Sequence, residues 1–470
     1  MVYLSNGSVF LWEKYGGYML IDDTICAITT AKGYGAVGII RLSGKDARRL
    51  ASEVYLGQAD LLTKASHTIT YGYVYDKAKE RKIDEAIFLL MDAPRSFTGE
   101  DVVEIQSHGG MVVLQEILFL LLRLGARLAQ EGEFTKRAFL NGKMDLSQAE
   151  AIMDIVDAKT TTALGIAMSQ RQGYLTEKIG EFRQKLLMLV AYLQADLDYP
   201  EDDIERLSDE AIAEEVTNLL GEIGQLLQTS QRGRLYKDGL KIALLGKPNV
   251  GKSSLLNAFL GYERAIVTEV AGTTRDVIVG EMLYQGVVFS FYDMAGIRET
   301  SDKVEKIGID LAKKSLGEVN AILYVVDQTE GFNLEDEAIL REVENTLPIF
   351  YLANKVDKAK DKAVELRENI HFVSAHTGEG IEALLDILYQ SLVIENKVIE
   401  DFALTNTRHI VLLEEVETLL KNFQDAFGLL SEDILVIDLQ SALEKLGLIT
   451  GETSSEDLLE TIFKNFCLGK

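Results

Sequence analysis

Cysteine and proline are nearly absent from this chain of 470 residues, which holds two of the first and four of the second. Cys26 and Cys467 stand at opposite ends, so neither a disulfide framework nor a cysteine-based zinc site can be drawn. No proline-rich linker is available. No stretch approaches 18 uninterrupted apolar residues, so a membrane span is not expected. Residues 1–23 carry Glu13, Lys14 and paired glycines where a secretory leader needs an apolar run, and they read as an extension outside the fold. A cytoplasmic location is the expectation. Basic residues are short as well: 48 Lys and Arg against 74 Asp and Glu leave a net charge of −26. The shortfall is uneven, because residues 1–140 hold 16 basic against 17 acidic side chains. Non-specific binding to nucleic acid depends on neutralising phosphates with Lys and Arg. So acidic a body argues against it, and any RNA contact must be local or shared with a more basic partner.

What is present is an ordinary globular composition, 47% hydrophobic and 26% charged, long enough for about three domains at roughly 100–200 residues each. Residues 24–140 read as mixed α/β, with strands at 37–41, 68–74 and 86–91 and a buried helix at 112–124. Residues 141–238 are rich in Ala, Leu, Glu and Gln and read as helical, broken at Pro200 and the acidic run after it. Residues 239–392 alternate strands and helices, and 393–470 return to helical spacing. This order predicts an α+β multidomain chain in which an α/β domain is inserted into an all-α domain formed by two chain segments.

The inserted part carries the chemistry. A strand at 241–245 leads into Gly246-Lys247-Pro248-Asn249-Val250-Gly251-Lys252-Ser253 and then a helix. In such a loop the glycines let backbone N–H groups approach phosphates, and the helix N-terminus adds its dipole. Lys252 would reach the β- and γ-phosphates and the Ser253 hydroxyl would ligate Mg²⁺. Gly272-Thr273-Thr274-Arg275-Asp276 follows, with Thr274 as the switch threonine for Mg²⁺ and γ-phosphate. A strand at 287–292 then ends in Asp293-Met294-Ala295-Gly296, placing a carboxylate behind the magnesium and the Gly296 N–H toward the γ-phosphate. A further strand at 349–353 delivers Asn354-Lys355-Val356-Asp357. The Asp357 carboxylate can accept from guanine N1–H and the 2-amino group together, a pair of donors adenine lacks. Ser374-Ala375-His376 offers a backbone N–H to the guanine carbonyl; His371 and His376 read as ordinary loop residues. The four of these motifs that stand at the C-terminal ends of strands, in this order, make this a Ras-like α/β P-loop domain that binds GTP.

One part is missing. The position after the Asp293–Gly296 motif, where Ras-like GTPases carry a water-orienting glutamine, is Ile297. Two groups stand as substitutes: Asn249, whose side-chain oxygen could hold a monovalent cation beside the β- and γ-phosphates, and Glu305, which could orient water directly or through a second water.

Outside this domain the chain resembles the tRNA-modification GTPase family MnmE (also TrmE). The resemblance rests on Gly38-Ile39-Ile40-Arg41-Leu42-Ser43-Gly44, on Ser96-Phe97-Thr98-Gly99-Glu100-Asp101 through Glu104 to His108-Gly109-Gly110, on Glu133 to Lys143, and on the terminal Phe466-Cys467-Leu468-Gly469-Lys470. The GTPase domain alone is also similar to Era- and Der-type ribosome-assembly GTPases, so a ribosome-assembly or regulatory switch is the alternative. The resemblance implies that residues 24–140 bind a tetrahydrofolate derivative and drive homodimerisation, with Arg41, Glu104, Lys143 and Lys470 as folate contacts and Cys467 in the modification chemistry. It implies potassium at Asn249, Thr268, Val270 and Thr273, and Glu305 as the catalytic residue. Nucleotide contacts would extend over Asn249, Val250, Gly251, Lys252, Ser253 and Ser254, over Thr268, Glu269, Val270, Ala271, Gly272, Thr273 and Thr274, and over Asp293, Met294, Ala295 and Gly296. Asn354, Lys355, Asp357, Ser374 and Ala375 complete them. Met294 departs from the family's usual threonine at a position whose side chain need not touch nucleotide. The implied function is the first step of C5 aminomethyl-type modification of wobble uridine in tRNA. GTP and Mg²⁺ would act here, with FAD and NADH on a flavoprotein partner, MnmG (also GidA), in a heterotetramer.

Overall fold

In the computed structural model the described residues are 23–31, 33–198, 208–261, 278–293, 319–343, 347–358, 369–393, 402–467 and 469. The fold is α+β and multidomain. Its chain contacts group into two compact units, one of residues 1–156, 170–223 and 411–470, the other of 157–169 and 224–410.

The first unit opens on a seven-stranded sheet: β1 (Ile25–Ile28), β2 (Val37–Ser43), β3 (Tyr55–Leu56), β4 (Thr68–Asp76), β5 (Arg81–Met91), β6 (Val102–His108) and β7 (Arg127–Leu128), in the order β3-β4-β5-β6-β2-β1-β7. All pairings are antiparallel except β1 with β7. Strand residues alternate between two faces. One face carries Cys26, Ile40, Leu42, Phe88, Val103 and Ile105 and is buried under α1 (Ala47–Val54) and α2 (Met111–Arg123). The other face is crossed by a row that register sets out as Ala27, Arg41, Glu104, Leu89 and Ile69. This row runs from full burial at Ala27 to an Ile69 that is 66% exposed. Beside it lie Tyr71 and Ile87, also exposed.

Helices α3 (Glu133–Leu140), α4 (Leu146–Asp157), α5 (Thr161–Arg171), α6 (Tyr174–Asp198) and α7 (Asp209–Gln228) follow. After the second unit come α12 (Thr407–Ala426), α13 (Glu432–Thr450) and α14 (Glu456–Phe463). The two helical segments pack together as their composition predicts: Arg183 of α6 pairs with Glu452, and Gln424 of α12 donates to Thr217 of α7 at 2.9 Å. Helix α13 starts with Glu432 and Asp433 in its first turn, where acidic groups suit the helix dipole, and stops at Gly451 in a left-handed conformation.

The second unit holds most of α5, then α8 (Ser230–Asp238), β8 (Leu240–Leu245), α9 (Lys252–Leu260), β9 (Ile278–Tyr284), β10 (Val287–Asp293), β11 (Ala321–Asp327), α10 (Leu334–Val343), β12 (Ile349–Asn354), β13 (Ile370–Phe372) and α11 (Ile381–Val393). The sheet order is β13-β12-β11-β8-β10-β9, parallel except for β9 against β10. Strand β11 is buried at all seven positions, as a parallel strand covered on both faces should be. His371 lies within β13, because pairing with Leu352 draws it into the sheet.

Candidate functional site

The C-terminal ends of β8, β11 and β12 converge on one loop. Gly246 has φ +138, and a Cβ there would lie 2.2 Å from the Val325 carbonyl oxygen, so the turn out of β8 admits glycine alone. Gly251 at φ +97 opens α9. A Cβ on it would meet the Asn354 side chain at 2.4 Å. Between them Asn249 is left-handed at φ +66 and exposed, and its side chain makes no hydrogen bond among the described residues. Lys252 is 6% exposed, and its Nζ donates to the carbonyls of Gly246 and Lys247 at 2.7 and 2.8 Å. The loop thus curls around the ammonium it presents. Ser253 and Ser254 are exposed in the first turn of α9, where free N–H groups favour an anion. The loop therefore fits a polyphosphate.

The loops after β12 and β13 are equally organised. Asn354, 1% exposed, donates from Nδ2 to Val250 O at 2.9 Å and accepts from Ala375 N at Oδ1 at 3.1 Å, tying the two loops together. Asp357 accepts from the Ser374 hydroxyl at 2.7 Å. That bond, before any other influence, holds its carboxyl below the usual carboxylate range, so an ionised acceptor waits at neutral pH.

Two acids that sequence reasoning did not single out pin the loop from outside. Lys247 pairs at 3.0 Å with Asp336, which is fully buried and also accepts from Tyr324. Lys355 donates to Asn249 O at 2.8 Å and to Asp327 at 2.6 Å. Burial alone would raise the Asp327 pKa, but the bonds from Lys355 and Thr329 outweigh it and hold the group low. Both acids are distant in sequence from the loop, and a signal for them existed only in their buried neighbours. Asp293 ends β10 beside β8 as expected. Thr268, Glu269, Val270, Ala271, Gly272, Thr273 and Thr274 lie outside the described residues, as do Met294, Ala295, Gly296, Ile297 and Glu305.

In the first unit, pairing of β2 with β6 sets Arg41 opposite Glu104. Arg41 Nε and Nη2 both reach Glu104 Oε1 at 2.9 Å. The guanidinium lies 5.4 Å from the Phe97 ring centre and 5.5 Å from that of Phe134, two further residues the motifs alone did not mark. Beneath them Arg137, 2% exposed, binds Asp23 at 2.6 Å, Glu133 at 2.9 Å and Glu100 at 3.1 Å, which locks α3 to the loop bearing Phe97. Lys143 is exposed, donates to Pro94 O at 2.9 Å, and makes no contact with Arg41 or Glu104 among the described residues. Lys470 lies outside them; Gly469 sits so close that a Cβ would approach Ile28 O to 2.6 Å, which brings the chain end to β1.

Cys467 is exposed, whereas burial pushes the fully buried Cys26 thiol up to about 12. Since the thiolate is the reactive form, a chromogenic disulfide reagent should titrate one thiol in the native protein and two after unfolding, and Cys467→Ser should abolish the native reaction. Two thiols titrating before unfolding would contradict this assignment. No group of His, Cys, Asp and Glu able to hold a metal occurs among the described residues, and no described helix is long and apolar enough to cross a membrane.

The helical-domain model of the MnmE family matches residues 146–467, and that of the GTP-binding protein TrmE N-terminus matches 24–143. The tRNA modification GTPase MnmE of Streptococcus agalactiae serotype III (strain NEM316) is 43% identical over 453 residues, covering 95% of this chain and 98% of that protein. That of Thermoanaerobacter sp. (strain X514) is 42% identical over 462 residues, covering 96% and 100%. Among solved structures, Aquifex aeolicus Era bound to GDP and aluminium fluoride is 28% identical over 38% of this chain and 66% of that one. Its TM-score of 0.27 is too low to bear on the fold.

Proposed function

The chain belongs to the MnmE family of tRNA modification GTPases, and from that premise we propose that its GTP hydrolysis is potassium-assisted and serves the first step of wobble-uridine modification. The observation that carries this reading is the loop itself: Lys252 is curled into it, Asn249 is exposed at its crest, and Asp357 is set for guanine. In this reading Lys252 and the α9 N-terminus hold the β- and γ-phosphates, and Asp357 takes the guanine edge. Ser253 and Thr274 hold Mg²⁺, which neutralises phosphate charge. Asn249, with Thr268, Val270 and Thr273, holds K⁺, which supplies the positive charge that an arginine finger gives elsewhere. An amide oxygen with threonine and backbone oxygens is a fitting donor set for such a hard cation. Glu305 orients the attacking water in place of the glutamine missing at Ile297.

The remaining assignments follow the family resemblance. Residues 24–140 take a tetrahydrofolate derivative, whose one-carbon unit the modification consumes, through Arg41, Glu104, Lys143 and Lys470. The carboxylate and guanidinium of Glu104 and Arg41 beside two aromatic rings suit a flat heterocycle with a donor–acceptor edge. The open sheet face at Ile69, Tyr71 and Ile87 supports a homodimer through this domain, because such apolar faces are ordinarily covered. Residues 141–238 and 393–470 form the helical domain around the G domain, 239–392. A flavoprotein of the MnmG type brings FAD and NADH, and the complex works on tRNA in the cytoplasm, with Cys467 near the reacting centre.

The test is GTP turnover in potassium against sodium at matched ionic strength. Potassium should raise it by at least about tenfold, the order expected of one well-placed charge, and Asn249→Ala should remove most of that difference. Equal turnover in the two salts would sink the cation mechanism.

A further inference from the structure

Lys355 touches two partners at once, and one of them has no role in the nucleotide motifs. Its Nζ donates to the Asn249 carbonyl at 2.8 Å and to Asp327 Oδ2 at 2.6 Å. Asp327 is the last residue of β11 and 7% exposed. Its other oxygen, Oδ1, accepts from the Thr329 hydroxyl at 2.7 Å and from the Thr329 amide at 2.9 Å. Both carboxylate oxygens are committed, so the group cannot rotate without breaking a hydrogen bond. Lys355 itself sits at φ +69, a left-handed conformation that a lysine keeps only when its surroundings hold it there.

We propose that Asp327, oriented by Thr329, is a positioning residue for the guanine nucleotide: it anchors Lys355 across the phosphate loop and thereby fixes the backbone at Asn249. The route joins three neighbouring strands, since β12 delivers Lys355, β11 delivers Asp327, and the loop after β8 delivers Asn249. A lysine stem has four rotatable carbons. Without a fixed anion behind it, Lys355 would lose its hold on the loop, and the nucleotide would leave faster. This inference rests on the GTP-binding reading of the loop. An ion pair that served the fold alone would behave differently, because its loss would lower the unfolding midpoint and leave the nucleotide release rate unchanged.

The experiment is the release rate of fluorescently labelled GDP from the full chain, by stopped flow. It uses wild type, Asp327→Asn, Thr329→Val, Thr329→Ser, Lys355→Met and the double variant Asp327→Asn with Lys355→Met. Asp327→Asn should speed release about tenfold, the effect of weakening one charge-assisted hydrogen bond. Thr329→Val should speed it about threefold, and Thr329→Ser, which keeps the hydroxyl, should restore the wild-type rate. The double variant should release no faster than Lys355→Met alone. Wild-type release from Thr329→Val, or an equal acceleration by Asp327→Asn in both backgrounds, would overturn the positioning role and leave GTP binding standing. A wild-type chain that takes up no labelled GDP would overturn both.

Discussion

An Asp357→Asn chain is expected to bind GTP about 100-fold more weakly and to accept xanthosine triphosphate in its place. The carboxylate is ionised at neutral pH, as an aspartate ordinarily is, and the Ser374 hydroxyl that donates to it holds its pKa lower still. As an anion it would accept from guanine N1–H and the 2-amino group together, and two charge-assisted bonds are worth about two orders of magnitude or more. Asparagine keeps one acceptor and replaces the other with a donor, which faces the guanine amino group badly. Xanthine carries an oxygen there, which that donor suits. A site built around buried polar groups discriminates by what it leaves unpaired. Competition by the two triphosphates for a fluorescent guanine nucleotide measures the change. Undiminished GTP affinity would remove Asp357 from the base pocket.

Lys252→Ala should lower GTP turnover by about 10²–10³-fold, the range seen when one preorganised donor to a developing charge is removed. The side chain is 6% exposed and sits against the carbonyls of Gly246 and Lys247. Its charge therefore acts in a place that water screens poorly. The fold should survive, since the loop's path is set by Gly246, Gly251 and the Asn354 bridge to Val250. Phosphate release at saturating GTP gives the measurement, and turnover within a few-fold of wild type would contradict the role.

Much of the nucleotide site was legible because its motifs are local. Strands expected at 241–245, 287–292 and 349–353 are β8, β10 and β12 to within a residue. The loop after β8 needs glycine at Gly246 and Gly251 for reasons that act within a few residues of each. Strands 37–41, 68–74 and 86–91 and the helix at 112–124 were visible from hydrophobic spacing, as β2, β4, β5 and α2, although β5 begins earlier, at Arg81. Other features lay beyond local reading. The Arg41–Glu104 bridge depends on the register of β2 against β6, which side-chain alternation limits but does not by itself choose. Phe97 and Phe134 fall within the motifs, but only the fold sets both rings by Arg41. Asp327 and Asp336 belong to none of the motifs, and only the fold brings them to Lys355 and Lys247. Family resemblance supplied Lys143 and Lys470, and the local contacts of Lys143 give no independent reason to join it to Arg41.

The proposed drive for wobble-uridine modification in tRNA is GTP hydrolysis. Its most direct measurement is nucleoside analysis by mass spectrometry of tRNA incubated with this chain, an MnmG-type flavoprotein, a reduced folate donor, FAD and NADH. Modified uridine should form with GTP and potassium, and should be nearly absent with GDP or with Lys252→Ala. Equal modification in the presence of GDP, or by the Lys252→Ala chain, would contradict the account.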